Sequence, residues 1–308
     1  MKISIITCSF NRLDKLKRNI QSVISQNYDD YEHFIIDDGS TDGTKDYIYK
    51  LNNKKIIYYR SDKNLGQPKV MFKSNVLNNI NGKIIFLLDS DDYLLDNAIY
   101  TIIEDFKKFD GGIQTIAYSY ENDGKQIEYK KVKSSYILKD NHPLNANNNG
   151  FKDYLFVQTS DYIKNFNFFF KNPYRWYTSR IEYALSENFY EVYTNKVIYN
   201  MDFGNDTVTK GANIEKYADI TLFTRKYYFD NFRINMGNKY IRYTIKSLLL
   251  NILISKNNKF YFISYFKKAK SLKLINLYNQ FLFIILYILP SNFLFKIKIF
   301  LKKNRFKR

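Results

Sequence analysis

At 308 residues, 45% of them hydrophobic, the chain is long enough to bury a sizeable core as one large domain or two smaller ones. One cysteine, Cys8, excludes an internal disulfide and a cysteine-built metal cage, and two histidines, His33 and His142, leave little for a histidine-ligated metal. The net charge of +18 is uneven: residues 239–308 hold 16 Lys and Arg and no Asp or Glu, so residues 1–238, with 32 basic and 30 acidic side chains, carry only +2.

The opening MKISIITCSF has too short an apolar run for a secretory signal and no small-residue cleavage site, so a cytoplasmic chain is expected. The β-branched run Lys2–Thr7 predicts a buried strand. Leu16, Ile20, Val23 and Ile24 recur at helical spacing within residues 14–26. Residues 31–37 predict a second strand, and TDGTKDYIYKL a helix entered through Ser, Thr and Asp capping residues. Residues 55–60 give a third strand, 70–80 a helix, 83–89 the most apolar strand and 97–109 another helix. Short alternating stretches over 112–136 suggest a hairpin, and the breaker-rich residues 139–150 a polar loop. Beyond lie YLFVQTSDYI, a helical stretch near 178–189 and a strand over 190–201, and after Lys239 the pattern is of amphipathic helices. Strand-helix alternation of this kind predicts an α/β fold: a mostly parallel sheet with helices on both faces, followed by a helical C-terminal region.

In such sheets ligands bind beyond the carboxyl ends of the strands. Two acidic stretches, IDDGSTD and LDSDD, fall at such ends. Clustered aspartates without His or Cys are hard oxygen ligands that suit Mg²⁺ or Mn²⁺. A cation explains how Asp89, Asp91 and Asp92 coexist within four residues, and a nucleotide diphosphate explains why a coordination position stays open. Each stretch taken alone also reads as a turn with a helix N-cap.

SIITCSFNR, FIIDDGSTDGT and IIFLLDSDDYLL resemble, in order and spacing, the N-terminal half of family 2 glycosyltransferases, inverting GT-A enzymes that use nucleotide sugars. The resemblance implies a nucleotide-sugar-binding half at 1–115 and an acceptor-binding half at 116–238, while charge and amphipathic pattern set off a basic helical tail at 239–308. It implies that Cys8, Ser9 and Asp38 contact the nucleotide and that Asp89 and Asp91 form the family's Asp-x-Asp motif. Asp91 would ligate Mn²⁺ or Mg²⁺, Asp89 would reach the ribose, the metal or a metal-bound water, and Asp92 would orient neighbouring groups. Lys69 or Lys73 would counter the diphosphate, the alternative for both being an exposed helix lysine. The family's general base is an acid at a helix start in the second half. Residues 174–178 hold no carboxylate there, and Glu182 is the nearest candidate, with Asp202 and Asp206 behind it, although a solvated helix face accounts for Glu182 equally. His142 reads as an acceptor-side lid or a solvated loop histidine, Trp176 as a sugar-stacking or core residue, and His33, inside a strand, as structural.

The tail's longest apolar run, Phe281–Leu289, stops at Pro290, far short of the about 20 residues of a spanning helix. Its Phe, Leu and Ile with flanking Lys suit the surface of an anionic membrane, or packing against the domain. The expected partners are a nucleotide-sugar donor, a glycan or lipid-linked acceptor and that membrane surface. No nucleic-acid motif accompanies the basic residues, so nucleic acid is not expected. Two rivals stay open: a non-catalytic nucleotide-sugar-binding scaffold, and RNA binding through the tail.

Overall fold

The computed structural model describes residues 1–108, 113–122, 124–126, 136–139, 154–161 and 190–202. Towards the C-terminus it describes 226, 230, 241, 242, 245, 246, 248, 249, 252, 253 and 259–288. Glu182, Asp206, Trp176, His142, the helix expected near 178–189 and the chain end after 288 lie outside the described residues. The chain divides into two compact units, Met1–Thr207 and Val208–Arg308.

Among the described residues, the first unit is built on a ten-stranded sheet. Its strands are β1 (Ile3–Ser9), β2 (Tyr31–Asp37), β3 (Ile56–Arg60), β4 (Ile84–Leu87), β5 (Tyr93–Leu94), β6 (Thr115–Asn122), β7 (Lys125–Gln126), β8 (Tyr136–Lys139), β9 (Leu155–Thr159) and β10 (Tyr190–Asn200). The order β3-β2-β1-β4 is parallel throughout. Beyond it β9 enters antiparallel between β4 and β6, while β10 runs parallel to β6, so this half is mixed. The expected hairpin is β6–β7, where Asn122 pairs Lys125 and Gly124 takes φ +77°. β4 is an unbroken apolar run, and β1 and β2 are buried along nearly their whole length with only a few polar residues among the apolar ones, because helices cover both faces. Ile3 and Ile5 pack with Val23 of helix α1 (Leu13–Ile24) and with helix α5 (Ala98–Lys108). Ile6, Phe34 and Ile36 point to the other face, against Val70 and Met71 of α3 (Gln67–Ser74) and Val76 of α4 (Val76–Asn79). Leu16, Ile20 and Ile35 pack with Ile48 of α2 (Thr44–Leu51). The single helix expected over 70–80 is two, because Asn75 takes the left-handed conformation, φ 56°, that asparagine tolerates and a continuing helix does not.

His33 is fully buried in β2. Its Nε2 lies 2.9 Å from Thr7 Oγ1, whose hydroxyl donates to Asn19 Oδ1 at 3.3 Å, which makes Nε2 the protonated nitrogen and leaves Nδ1 without a partner. Burial pushes the imidazole down to about 3, so the folded protein keeps it neutral. As the pH falls below about 6.5 the unfolded chain takes up a proton that the folded one refuses, and stability drops until about pH 3. The expected loss is about 2 kcal/mol between pH 6 and 4.5. Urea unfolding of wild type and of His33→Gln over this range checks it: the difference between the two should shrink as the pH falls.

In the second unit, α6 (Lys259–Ser271) and α7 (Leu277–Ile288) form a helical pair. Phe262 stacks on Phe266 at 5.4 Å and on Tyr287 at 5.1 Å, and meets Phe283 at 6.3 Å. The turn between them closes with Leu274 N–H donating to Ala269 C=O while Lys273 takes φ 53°. Ile241, Ile245, Leu248, Leu249 and Ile252 are buried at helical spacing. Leu277, Ile284 and Ile288 follow each other by seven and four residues, so they share one face of α7, and they are 82%, 50% and 76% exposed. Among the described residues no helix is long and apolar enough to cross a membrane.

Candidate active site

The register aligns Ser9 with Asp37 and Ile6 with Leu87, so the loops after β1, β2 and β4 leave the sheet on one edge. There the acids divide by task. Asp37, fully buried, accepts from Ser40 N–H at 2.8 Å and Tyr58 O–H at 2.6 Å, and faces Arg60 Nε at 3.4 Å. Asp42 accepts the first N–H of two helices, Leu13 N–H at 2.8 Å and Thr44 N–H at 3.2 Å, and also the Thr44 hydroxyl at 2.7 Å. Asp38 accepts the N–H groups of Leu65 and Gly66, both at 2.7 Å, and so holds the loop that leads into α3. Gly39 is required between them: its φ is +83°, and a Cβ there would sit 2.8 Å from the Lys63 carbonyl carbon.

The loop after β4 is a turn closed by Asp92 N–H on Asp89 C=O at 2.9 Å, and it is held from α1 almost residue by residue. Arg12 Nη1 meets Asp91 Oδ2 at 2.6 Å, with the two side chains 19% and 12% exposed. Arg18 donates to Asp91 C=O at 2.8 Å and lies 4.6 Å over the Tyr93 ring. Asn19, fully buried, donates to both Asp89 C=O and Asp92 C=O at 2.9 Å. Ser22 Oγ accepts from Leu94 N–H at 3.0 Å, and the Gln26 amide donates to Leu95 C=O and accepts from Ile99 N–H. None of these partners was apparent from sequence, where α1 shows its apolar stripe. The available signal was a second stripe, positions 12, 15, 19, 22 and 26, all polar at three- or four-residue spacing.

The carboxyl groups that remain crowd one another. Asp89 is open to solvent, yet the surrounding protein and the Asp91 charge push its carboxyl up to about 6, against the pull of Arg12 and a hydrogen bond from Gln67. Asp92 is buried and is pushed up to about 8 by burial and then by Asp89, so it is protonated at neutral pH. It accepts Asp202 N–H at 3.0 Å and ties the acid loop to the end of β10. The Cys8 thiol, near the end of β1, is raised by burial, then by the charges of Asp89 and Asp38. Ser9 is buried with its hydroxyl unpartnered. Lys69 and Lys73 stand exposed on α3, and the side chain from that segment that meets the acid loop is Gln67. Asp202 pairs with Lys15 at 3.3 Å and Arg18 at 3.2 Å.

Among the described residues no three carboxylate, imidazole or thiol groups converge as a metal cluster. A magnesium-type ion asks for less, one or two carboxylates with waters and phosphate oxygens completing its shell. Asp89 and Asp91 provide that all-oxygen set, and their mutual repulsion is what a divalent cation would relieve. The residues fit such an ion, with Arg12 as the competing charge.

The model of the family described as glycosyl transferase family 2 matches residues 4–178, more than half of the chain. The chain belongs to this family. Among curated relatives, the GalNAc(5)-diNAcBac-PP-undecaprenol beta-1,3-glucosyltransferase of Campylobacter jejuni is 34% identical over 104 residues, 33% of this chain and 34% of that protein. The UDP-Glc:alpha-D-GlcNAc-diphosphoundecaprenol beta-1,3-glucosyltransferase WfaP of Escherichia coli is 31% identical over 120 residues, 39% of this chain and 45% of that protein. The chain thus spans less than half the length of these relatives. Among solved structures, Staphylococcus aureus TarS 1-349 in complex with UDP-GlcNAc superposes with a TM-score of 0.59 at 14% identity, over 93% of this chain and 79% of that one. The mannosyltransferase PcManGT of Pyrobaculum calidifontis, in complex with GDP-Man and Mn²⁺, gives 0.51 at 11% identity, over 92% and 85%. The expected GT-A-like architecture is therefore the observed one, with the sheet mixed beyond β4.

Proposed function

We propose that the chain is an inverting glycosyltransferase that moves a sugar from a nucleotide donor, a UDP-sugar, to a lipid-linked or glycan acceptor in surface polysaccharide assembly. The observation that carries this reading is the pair Asp89–Asp91. Every other acid of the two loops is engaged in holding the fold, whereas this pair, beside Cys8, Ser9 and the Asp38 loop, keeps two mutually repelling carboxyl groups at the carboxyl edge of the sheet, a repulsion that Arg12 offsets in part. Family membership supports the reaction class, the UDP-Glc in the printed name of the Escherichia coli relative supports the donor, and both relatives' undecaprenol-linked acceptors support the acceptor class.

Asp89 and Asp91 would hold Mn²⁺ or Mg²⁺, which when bound neutralises the charge that gathers on the departing diphosphate. The chain's own residues do the rest. Cys8, Ser9 and the loop held by Asp38 line the nucleotide position. Asp92, kept as the neutral acid, fixes the acid loop against β10 without adding a third negative charge. Lys69 would approach the diphosphate from α3, and Glu182 would take the acceptor hydroxyl's proton as general base. Residues 1–115 form the donor half, 116–238 the acceptor half and 239–308 the tail. The exposed stripe Leu277, Ile284 and Ile288, within a segment of 16 basic and no acidic residues, supports docking at the inner face of the cell membrane.

A panel of nucleotide sugars, with and without Mn²⁺, on vesicles carrying an undecaprenyl-diphosphate sugar tests this. Turnover should require the metal, select one donor, run faster on anionic than on zwitterionic vesicles and fall about a hundredfold or more in Glu182→Ala. Binding of UDP-sugars without any turnover would favour a scaffold instead.

A further inference from the structure

The guanidinium of Arg12 sits where a metal's charge would be wanted. It contacts Asp91 Oδ2 at 2.6 Å and its field also reaches Asp89, so one side chain serves both carboxylates assigned to the cation. Arg12 is held at the entry to α1, immediately after Asn11, which takes φ 50°. Asn11 is itself locked to the second acidic loop: its side-chain oxygen accepts Thr41 N–H at 2.8 Å and its own N–H donates to Ser40 Oγ at 3.0 Å. The arginine therefore projects from a pinned backbone into a largely buried ion pair. A divalent ion approaching Asp91 meets a positive charge already in place, and losing that pairing costs the ion much of what it would gain.

A diphosphate changes that balance, because it offers the guanidinium a second, doubly forked anionic partner beside the first. We propose, building on the donor-site reading above, that Arg12 is a resident counter-ion that makes cation and nucleotide binding interdependent: metal alone is resisted at Asp91, and the nucleotide's diphosphate receives the displaced arginine. By linkage the two ligands then strengthen each other equally. The site avoids filling with metal in the absence of donor.

Mn²⁺ binding to the 308-residue chain, followed by the EPR signal of the free ion with and without UDP, tests this in wild type, Arg12→Gln, Arg12→Lys and Asp91→Asn, each first checked for folding by circular dichroism. Arg12→Gln should bind Mn²⁺ alone at least tenfold more tightly than wild type, and UDP should enhance its Mn²⁺ affinity at least tenfold less. Arg12→Lys, which keeps the charge but not the fork, should bind Mn²⁺ alone as weakly as wild type with a smaller gain from UDP, and Asp91→Asn should bind the ion weakly in every condition. If wild type binds Mn²⁺ with UDP but Arg12→Gln binds it no more tightly alone, or UDP's effect is undiminished, the role of Arg12 is overturned while the metal site stands. Equal tightening in Arg12→Lys also overturns it, since charge would not be the cause. If no variant binds Mn²⁺ in any condition, the metal site and this role fall together.

Discussion

Asp91→Asn should lower sugar transfer by about a hundredfold to a thousandfold and leave the fold standing. The substitution keeps size and one oxygen and removes the charge. The lost ion pair with Arg12 is largely buried, and stranding one partner of such a pair can cost about 3–5 kcal/mol. Two effects offset this. Arg12 already lies within the field of Asp89 and can pair with it, and removing the Asp91 charge removes one of the forces that lift Asp89 to about 6. Unfolding stability should accordingly change by no more than about 1 kcal/mol while activity collapses. Asp92→Asn is the contrasting variant. That carboxyl is raised to about 8 and protonated at neutral pH, and an asparagine oxygen can still accept Asp202 N–H, so transfer at pH 7 should stay within about threefold of wild type. Steady-state kinetics and urea unfolding on the two variants decide it. Comparable losses in both would mean that the loop acts by shape and not by charge at Asp91.

The contrast marks what could be read from the sequence. Buried parallel strands leave mostly apolar, β-branched runs, so β1, β2 and β4 were legible, and with them the edge from which the loops of Asp38, Asp89 and Asp91 leave. Strand order is another matter. Nothing local in LFVQT tells that β9 slots antiparallel between β4 and β6, because that place is chosen by pairing across distant chain. The same holds for the site's support. Asn19 and Arg18 act on carbonyls of residues 89, 91 and 92, about 70 positions away, and a donor to a backbone carbonyl needs no matching side chain that a motif could display. Position 75 illustrates a third limit: the asparagine that ends α3 was visible, but its left-handed backbone is a conformational choice that composition permits without requiring.

Asn19→Leu should cost about 3 kcal/mol of folding stability and loosen the acid loop. Asn19 is fully buried and every polar atom of its side chain is engaged: the amide nitrogen serves the carbonyls of Asp89 and Asp92, and the oxygen takes the Thr7 hydroxyl. Leucine fills a similar volume, so the loss is not a cavity but three hydrogen bonds, each worth about 1 kcal/mol. The damage spreads through His33. With its acceptor gone, Thr7 can donate only to His33 Nε2, which moves the imidazole proton to Nδ1, a nitrogen with no partner in the buried strand. The variant exchanges a bare lone pair for a bare donor, the costlier of the two to bury. Asn19→Asp separates the parts: it still accepts from Thr7 but turns an oxygen towards two carbonyls, so it should destabilise at least as much at neutral pH and recover as the pH falls and the new carboxyl protonates, opposite to the trend expected from His33 alone. Because the carbonyls of Asp89 and Asp92 bracket Asp91, transfer should slow about tenfold in kcat for Asn19→Leu, with donor KM little changed. Urea unfolding and steady-state kinetics on the two variants measure this. A leucine variant within about 0.5 kcal/mol of wild type would show that α1 rests against the acid loop without holding it in place.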